Sequence, residues 1–261
     1  MTETLVTSEK LEKAHQILFD MLCEIDSILK QTKVRYILGF GTLLGAVRHQ
    51  DFIPWDDDVD LFVCDEDYDE ALKILTEKLN VAGSNYLLQY GDTDPNYWRT
   101  YAVIRHRGSK VLLEGKKSSK FSYQGLWVSL LRAPLMKRRN LKLWMLIREV
   151  TGSINYNRKN KKGLNVFKYF IGLALLPMLK AVYGIVDIAS NAKLRVFPGW
   201  KEVGGYYSDE DVFPLAEQEF RGRMFPVPRN YDRILTDWYG DYWQLPPITD
   251  RRIHLYDIEY L

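Results

Sequence analysis

Residues 35–63, RYILGFGTLLGAVRHQDFIPWDDDVDLFV, constrain the fold more than any other stretch of the chain. A short apolar run, VRYILG, reads as a strand, and Gly39, Gly41 and Gly45 relieve crowding where the backbone turns from strand into a short helix that Thr42 can cap. Pro54 and Trp55 make a turn, after which VDLFV reads as a second strand. Residues i and i+2 of a strand share a face, so Asp58 and Asp60 lie side by side while Val59 points into the core. Two carboxylates held that way repel unless a proton or a cation sits between them. Mg²⁺ suits the position because it takes carboxylate oxygens while keeping water and phosphate ligands, and Mn²⁺ accepts the same donors. Asp56 and Asp57 precede the strand and could hold a water, orient a substrate hydroxyl, or cap turn N–H groups.

The glycine turn completes that reading. If strand, helix and strand fold back on one another, Gly41 and Thr42 lie opposite the acidic strand, and a nucleotide diphosphate could bridge the metal and the turn N–H groups. This is the arrangement of a nucleotidyl- or phosphoryl-transferring enzyme. It is not a P-loop, since no G-x-x-x-x-G-K-[ST] occurs. Arg48 and His49 follow the turn as candidate phosphate or acid contacts, although His49 fits a structural role as well.

Around this segment the periodicity predicts an amphipathic helix over 9–30, a helix over 66–80, and strands at 86–89, 98–105, 110–113 and 126–131. A strand-like QEFRGRMFPV, a helix over 230–239 and a Pro-rich YWQLPP follow from residue 204 onward. The expected fold is α+β, a mixed sheet flanked by helices and interrupted by a basic, partly apolar helical insertion. The expected division is a core over 1–131, the insertion over 132–203, and a C-terminal region over 204–261 that completes the core. Trp98, Tyr101, Trp127, Tyr239, Tyr242 and Trp243 could stack on sugars or box a quaternary ammonium, but core packing explains each as readily. Cys23 and Cys64 lack metal spacing and read as reduced structural thiols, and the polar first ten residues do not read as a secretory signal.

The net charge of +2 hides a strong polarity. From Arg132 to Arg195 there are 14 Lys and Arg against Glu149 and Asp187 alone, so the rest of the chain is acidic. Within the basic segment, Tyr169 to Leu179 is an uncharged run of 11 residues. A buried helix pair, an interfacial patch pressed on an anionic cytoplasmic leaflet, and a membrane span all accommodate it, though the run is short for a span. No nucleic-acid-binding module accompanies the charge, and nucleic acid is not an expected partner.

GFGTLLGAVRHQDFIPWDDDVDLFV resembles the signature of the LicD family, which includes phosphorylcholine transferases and is related to fukutin and the fukutin-related protein. The resemblance resumes at GLWVSL, FRGRMFPVP, YGDYWQLPP and His254. It implies a nucleotidyltransferase-like fold that moves phosphocholine from CDP-choline, or another phosphoalkyl group from a CDP carrier, to a hydroxyl of a lipid-linked or surface-glycan precursor. The location it implies is peripheral, on the inner face of the cell membrane. It also implies that Asp58 and Asp60 are the metal pair and that Gly41 and Thr42 face phosphate. Two positions depart from the family pattern. Ser129 stands where a third carboxylate is expected, which leaves Asp56, Asp57 or Glu114 to fill that role in an active enzyme, or else indicates an impaired homologue that binds nucleotide or acts as a scaffold. Arg221 stands where a Glu is common, a reversal suited to a phosphate or carboxylate rather than an ammonium.

Overall fold

Helix α1 (Ser8–Leu29) begins where Thr7 accepts the Lys10 N–H at 3.2 Å, and its buried stripe of Leu11, Leu18, Met21, Leu22, Ile25 and Leu29 lies against the core. Each such side chain contributes roughly 1.5–3 kcal/mol when fully buried. The computed structural model describes residues 6–113, 121–136, 141–159, 164–188, 194–198, 204–251 and 253–261, so Glu114 lies outside the described residues.

Strand β1 (Tyr36–Leu38) leads through α2 (Phe40–His49) to β2 (Val59–Cys64), as the glycine spacing requires. Helix α3 (Asp65–Leu79), β3 (Tyr86–Gln89), β4 (Ala102–His106), β5 (Ser109–Leu113) and β6 (Trp127–Ala133) follow. Five strands form the central sheet in the order β1-β2-β6-β4-β3, with β2 and β6 parallel and the other pairs antiparallel. Val59, Leu61, Val63, Val128 and Leu130 fill its middle, and Asp60, directly opposite Ser129 across the parallel pair, interrupts that apolar run. The expected strand over 98–105 starts later, at Ala102, because residues 98–101 leave the sheet and pack elsewhere.

Strand β7 (Leu135–Met136) leads into α4 (Leu141–Lys159) and α5 (Leu164–Ile188), and β8 (Leu194–Phe197) and β9 (Gly205–Tyr207) bring the chain back in a small three-stranded sheet with β7. Buried Arg195 fixes that return, since its guanidinium bonds both Glu66 carboxylate oxygens and the Ala133 carbonyl. Helix α6 (Asp209–Val212) opens with a capping box between Ser208 and Asp211. Strands β10 (Ala216–Phe220) and β11 (Arg223–Val227) form a hairpin whose two loop residues, Arg221 and Gly222, have φ of 48° and 77°, the positive values that a two-residue turn of this twist requires. Helix α7 (Tyr231–Tyr239) and a 3₁₀ turn at Ile248–Asp250 precede β12 (Leu255–Tyr260), which pairs with β5.

The insertion differs from a buried helix pair. Gly172 allows α5 close to α4, where a Cβ would lie 2.6 Å from Ile154 Cγ1, yet the apolar window Leu164–Ile185 is only 6% buried. Its mean hydropathy of 1.5 and its 22 residues make it long and apolar enough to contact or cross a membrane. The opposite face of α4 meets the core: Tyr156 packs edge-on against Trp98 at 5.6 Å, and Gly152 faces Thr100.

Candidate active site

The acidic run sits where β2 begins, at the floor of a cavity of about 990 Å³. Asp56, Asp58, Asp60 and Ser129 line it together with Gly41, Leu44 and Arg48 from one face of α2. Helix and acid approach closely here: a Cβ on Gly41 would overlap the Asp56 carboxylate unless that side chain moved. Phe40, the first residue of α2, adopts φ of 39°, a left-handed conformation held by its ring packing on Phe62 and Trp238.

The four aspartates divide into roles that their spacing alone left open. Asp57 is buried, and its Oδ2 accepts the backbone N–H groups of His254 at 2.5 Å and Leu255 at 2.7 Å. It therefore tethers the start of β12 and swings His254 to the cavity wall. Its Oδ1 is buried without a hydrogen bond, 3.5 Å from His254 Nδ1. One oxygen from each of Asp56, Asp57 and Asp58 falls within 4.8 Å of the others, a cluster able to hold a divalent ion. Asp60 is outside that group but close enough to repel it, since among charges it is the strongest influence raising Asp58.

Burial, then Asp57 and Asp60, push the Asp56 carboxyl up to about 7. Burial, with Asp60 and Asp56, raises Asp58 well above the carboxylate range. Burial pushes Asp60 up to about 6, against the opposing pull of the Ser129 hydroxyl bond, His254 and Arg99. Oxygen-only donors that repel one another, beside a buried carboxylate oxygen without a hydrogen bond, are the chemistry of a hard divalent-cation site, and the residues present fit one.

The other expected site residues separate clearly. Arg48 lines the cavity, with Nη1 donating to the Tyr242 carbonyl at 2.7 Å. Thr42 does not cap α2, where Gly39 is the capping residue; its hydroxyl accepts the Asp60 N–H at 2.9 Å and ties helix to strand behind the site. His49 lies off the cavity and accepts from Arg48 Nε at 3.0 Å. Arg221 is also outside the cavity, bonded to Asp51 at 2.5 Å and Glu12 at 2.7 Å, so it staples the hairpin loop to α1 and the end of α2. Of the aromatics, Tyr101, Trp127, Tyr239 and Tyr242 line the cavity, whereas Trp98 packs on Phe121 and Tyr156 and Trp243 is largely exposed.

Two residues emerge only from the structure. Arg99, bonded to the Tyr101 hydroxyl at 2.6 Å, faces the aspartates from the loop before β4, and no local pattern in YWRTYAV marks it. Buried His15 stacks on Phe52 with 4.3 Å between ring centroids, and its Nε2 lies 2.7 Å from the Asp56 carbonyl. A carbonyl only accepts, so Nε2 carries the proton. In sequence, His15 is one more position on the buried stripe of α1.

A mixed sheet that presents paired carboxylates at a strand start, beside a glycine-opened helix and above a large cavity, defines a nucleotidyltransferase-like transferase. Residues 33–130 match the family model described as the LicD/FKTN/FKRP nucleotidyltransferase domain. Over that segment the chain is similar to the LicD family. It is 28% identical over 264 residues to the lipopolysaccharide cholinephosphotransferase LicD of Haemophilus influenzae, covering 94% of this chain and 95% of that protein. A 40-residue stretch is 58% identical to the human ribitol 5-phosphate transferase FKRP, covering 15% of this chain and 8% of that protein. An uncharacterised protein of Rickettsia prowazekii is 30% identical over 109 residues, 42% of this chain and 37% of that protein.

Proposed function

We propose that the protein transfers phosphocholine, or a related phosphoalkyl group, from a CDP-activated donor to a hydroxyl of a lipid-linked or surface-glycan precursor at the inner face of the cell membrane. The observation that carries this reading is the convergence of Asp56, Asp58, Asp60 and Ser129 at one end of a cavity large enough for a nucleotide donor and an acceptor. Asp58 and Asp60 would hold Mg²⁺ or Mn²⁺, which would supply neutralisation of the donor diphosphate and of charge on the leaving group. Arg48 and Arg99, the arginines of the cavity wall, bind phosphate oxygens from two other sides. Asp56, raised toward neutrality by its burial, accepts the proton of the acceptor hydroxyl. That oxygen bonds to the phosphorus bearing the alkyl group, the phosphorus–oxygen bond to CMP breaks, and CMP departs with the electron pair. Trp55, Tyr242, Asp241 and Asp250 line the same cavity and suit a cationic head group.

One observation favours a second reading. Ser129, opposite Asp60 where a further carboxylate would complete the centre, fits a protein that binds nucleotide without turnover. Incubation with CDP-choline, CDP-ribitol and CDP-glycerol and cell-envelope glycans, with CMP release as readout, separates the two. Turnover on one donor is expected, with Asp58→Asn and Asp60→Asn each lowering it roughly 10²–10³-fold. Nucleotide-dependent stabilisation without CMP release would instead establish the binding protein.

A further inference from the structure

A smaller cavity of about 170 Å³ shares a wall with the first. Tyr101 and Leu131 line both, and Thr100, Arg132, Trp144 and Arg148 close the smaller one against α4. The two arginines differ in kind. Arg132 is committed, bonded to Asp65 at 2.8 Å and Asp69 at 2.6 Å and lying over the Tyr68 ring. Arg148 is half-buried against Trp144, 5.4 Å from its ring centroid, and has no carboxylate within ion-pair distance among the described residues. A partly desolvated guanidinium that forms no ion pair among the described residues, in a concave site of this size, suits an oxyanion.

Its position says which oxyanion. The face of α4 that carries Trp144 and Arg148 meets the core beside the large cavity, while Ile154, on the adjoining face, packs against Gly172 of α5 and thereby supports the exposed apolar window. An interfacial helix sinks about 5–10 Å into the boundary between head groups and acyl chains, and a helix is about 10 Å across. With α5 at that depth, a pocket beside α4 and within one helix diameter of α5 would reach the level of lipid phosphates.

We infer that the Arg148 pocket is a subsite for the phosphate of an alkyl-phosphate-linked acceptor, holding it beside the transfer cavity while its hydrocarbon chain remains in the membrane. This rests on the transferase reading for the word acceptor, and on the pocket alone for the alkyl phosphate. The shared wall at Tyr101 and Leu131 lets a glycan extend from the bound phosphate toward the aspartates without leaving the protein surface.

The test is binding of decyl phosphate, below its micelle concentration, to the full chain by isothermal titration calorimetry, with inorganic phosphate as control. Decyl phosphate binds more tightly than inorganic phosphate, Arg148→Gln weakens it tenfold or more, and Arg148→Lys stays within about threefold of the wild type. Equal affinity in wild type and Arg148→Gln overturns the subsite, as does equal affinity for the two phosphates. Should Arg148→Gln fail to fold, tryptophan emission decides: decyl phosphate changes the wild-type signal, and an undiminished change in Trp144→Phe overturns the assignment. Flotation on phosphatidylcholine vesicles with 30% phosphatidylglycerol is unaffected by Arg148→Gln. A parallel loss there would assign Arg148 to bulk head groups and sink the acceptor subsite. Asp60→Asn binds decyl phosphate like the wild type although it lowers transfer roughly 10²–10³-fold, so failure of the transferase reading and failure of the subsite are distinguishable.

Discussion

A serine hydroxyl opposite Asp60 shifts the burden of charge onto the carboxylates that remain. Ser129 donates a hydrogen bond and so moderates the rise of Asp60, but it adds no negative charge, which leaves Asp56 as the third aspartate of the run, with Asp58 and Asp60, facing the cavity. Without a cation, Asp56 at about 7 and Asp60 at about 6 bind protons more readily in the folded chain than in the unfolded one, where carboxyls titrate near about 3.9. Their contribution to stability is therefore greatest below about pH 4 and is lost as pH rises through 6 and 7. Thermal unfolding in EDTA should give a lower Tm at pH 8 than at pH 5.5, and millimolar Mg²⁺ should remove most of that difference; a pH-independent Tm in EDTA would contradict it. His15 offers a second test at this scale. His15→Phe keeps the ring stack on Phe52 but leaves the Asp56 carbonyl without its donor, so denaturant unfolding should show a loss of about 1–3 kcal/mol. The acidic run was legible as a candidate site from its density of carboxylates, although β2 starts only at Val59 and the oxygens that converge are those of Asp56, Asp57 and Asp58 rather than of the expected pair Asp58 and Asp60. That Asp57 would turn away to tether residues 254 and 255 was not, because its partners lie nearly two hundred positions downstream.

At the scale of elements, the part of the site hardest to read was the segment between β3 and β4. Sequence propensity extended β4 back to Trp98, but residues 98–101 leave the sheet, carry Arg99 and Tyr101 into the cavity, and pack on α4. Asp94 organises the approach. Its carboxylate accepts from the Gln89 amide, the Asn96 N–H and both the N–H and hydroxyl of Ser122, with distances of 2.7–2.8 Å. Burial drives the Asp94 carboxyl upward, and these bonds more than offset it, leaving the group below its ordinary value. Its stabilisation is present above the unfolded value of about 3.9 and is lost as pH falls through the folded one. Asp94→Asn should lower stability at pH 7 by about 1–3 kcal/mol and flatten the decline of Tm below pH 4 relative to wild type. An unchanged acid limb would show that another carboxylate controls it. By contrast, α1, α3 and α7 fell within a residue or so of expectation, because apolar periodicity is a local signal that packing reinforces, whereas α2 starts three residues ahead of the expected Thr42 cap.

For the whole molecule, the charge polarity and the apolar run of the insertion were visible in the sequence, but their arrangement was not. Periodicity cannot tell a helix buried against a neighbour from one propped outward by it, and α5 proves to be the latter, with α4 between it and the core. Phe167 and Phe170 are 63% and 61% exposed, flanking Lys168, whose long side chain can reach past an apolar boundary toward head groups. An exposed apolar surface of this length on a basic segment fits an anionic leaflet, and both components are measurable. Burying one phenylalanine in the interface gains roughly 1.5–3 kcal/mol, so replacing both with glutamate should weaken vesicle binding by more than 100-fold. Because neither ring is buried in the folded chain, the double variant Phe167→Glu, Phe170→Glu should unfold at the wild-type temperature. Flotation on anionic vesicles should also weaken between 50 mM and 500 mM salt, as screening removes the lysine and arginine contribution and leaves the apolar one. A double variant that still floats with the wild-type salt dependence would show that α5 is not the surface that meets the membrane.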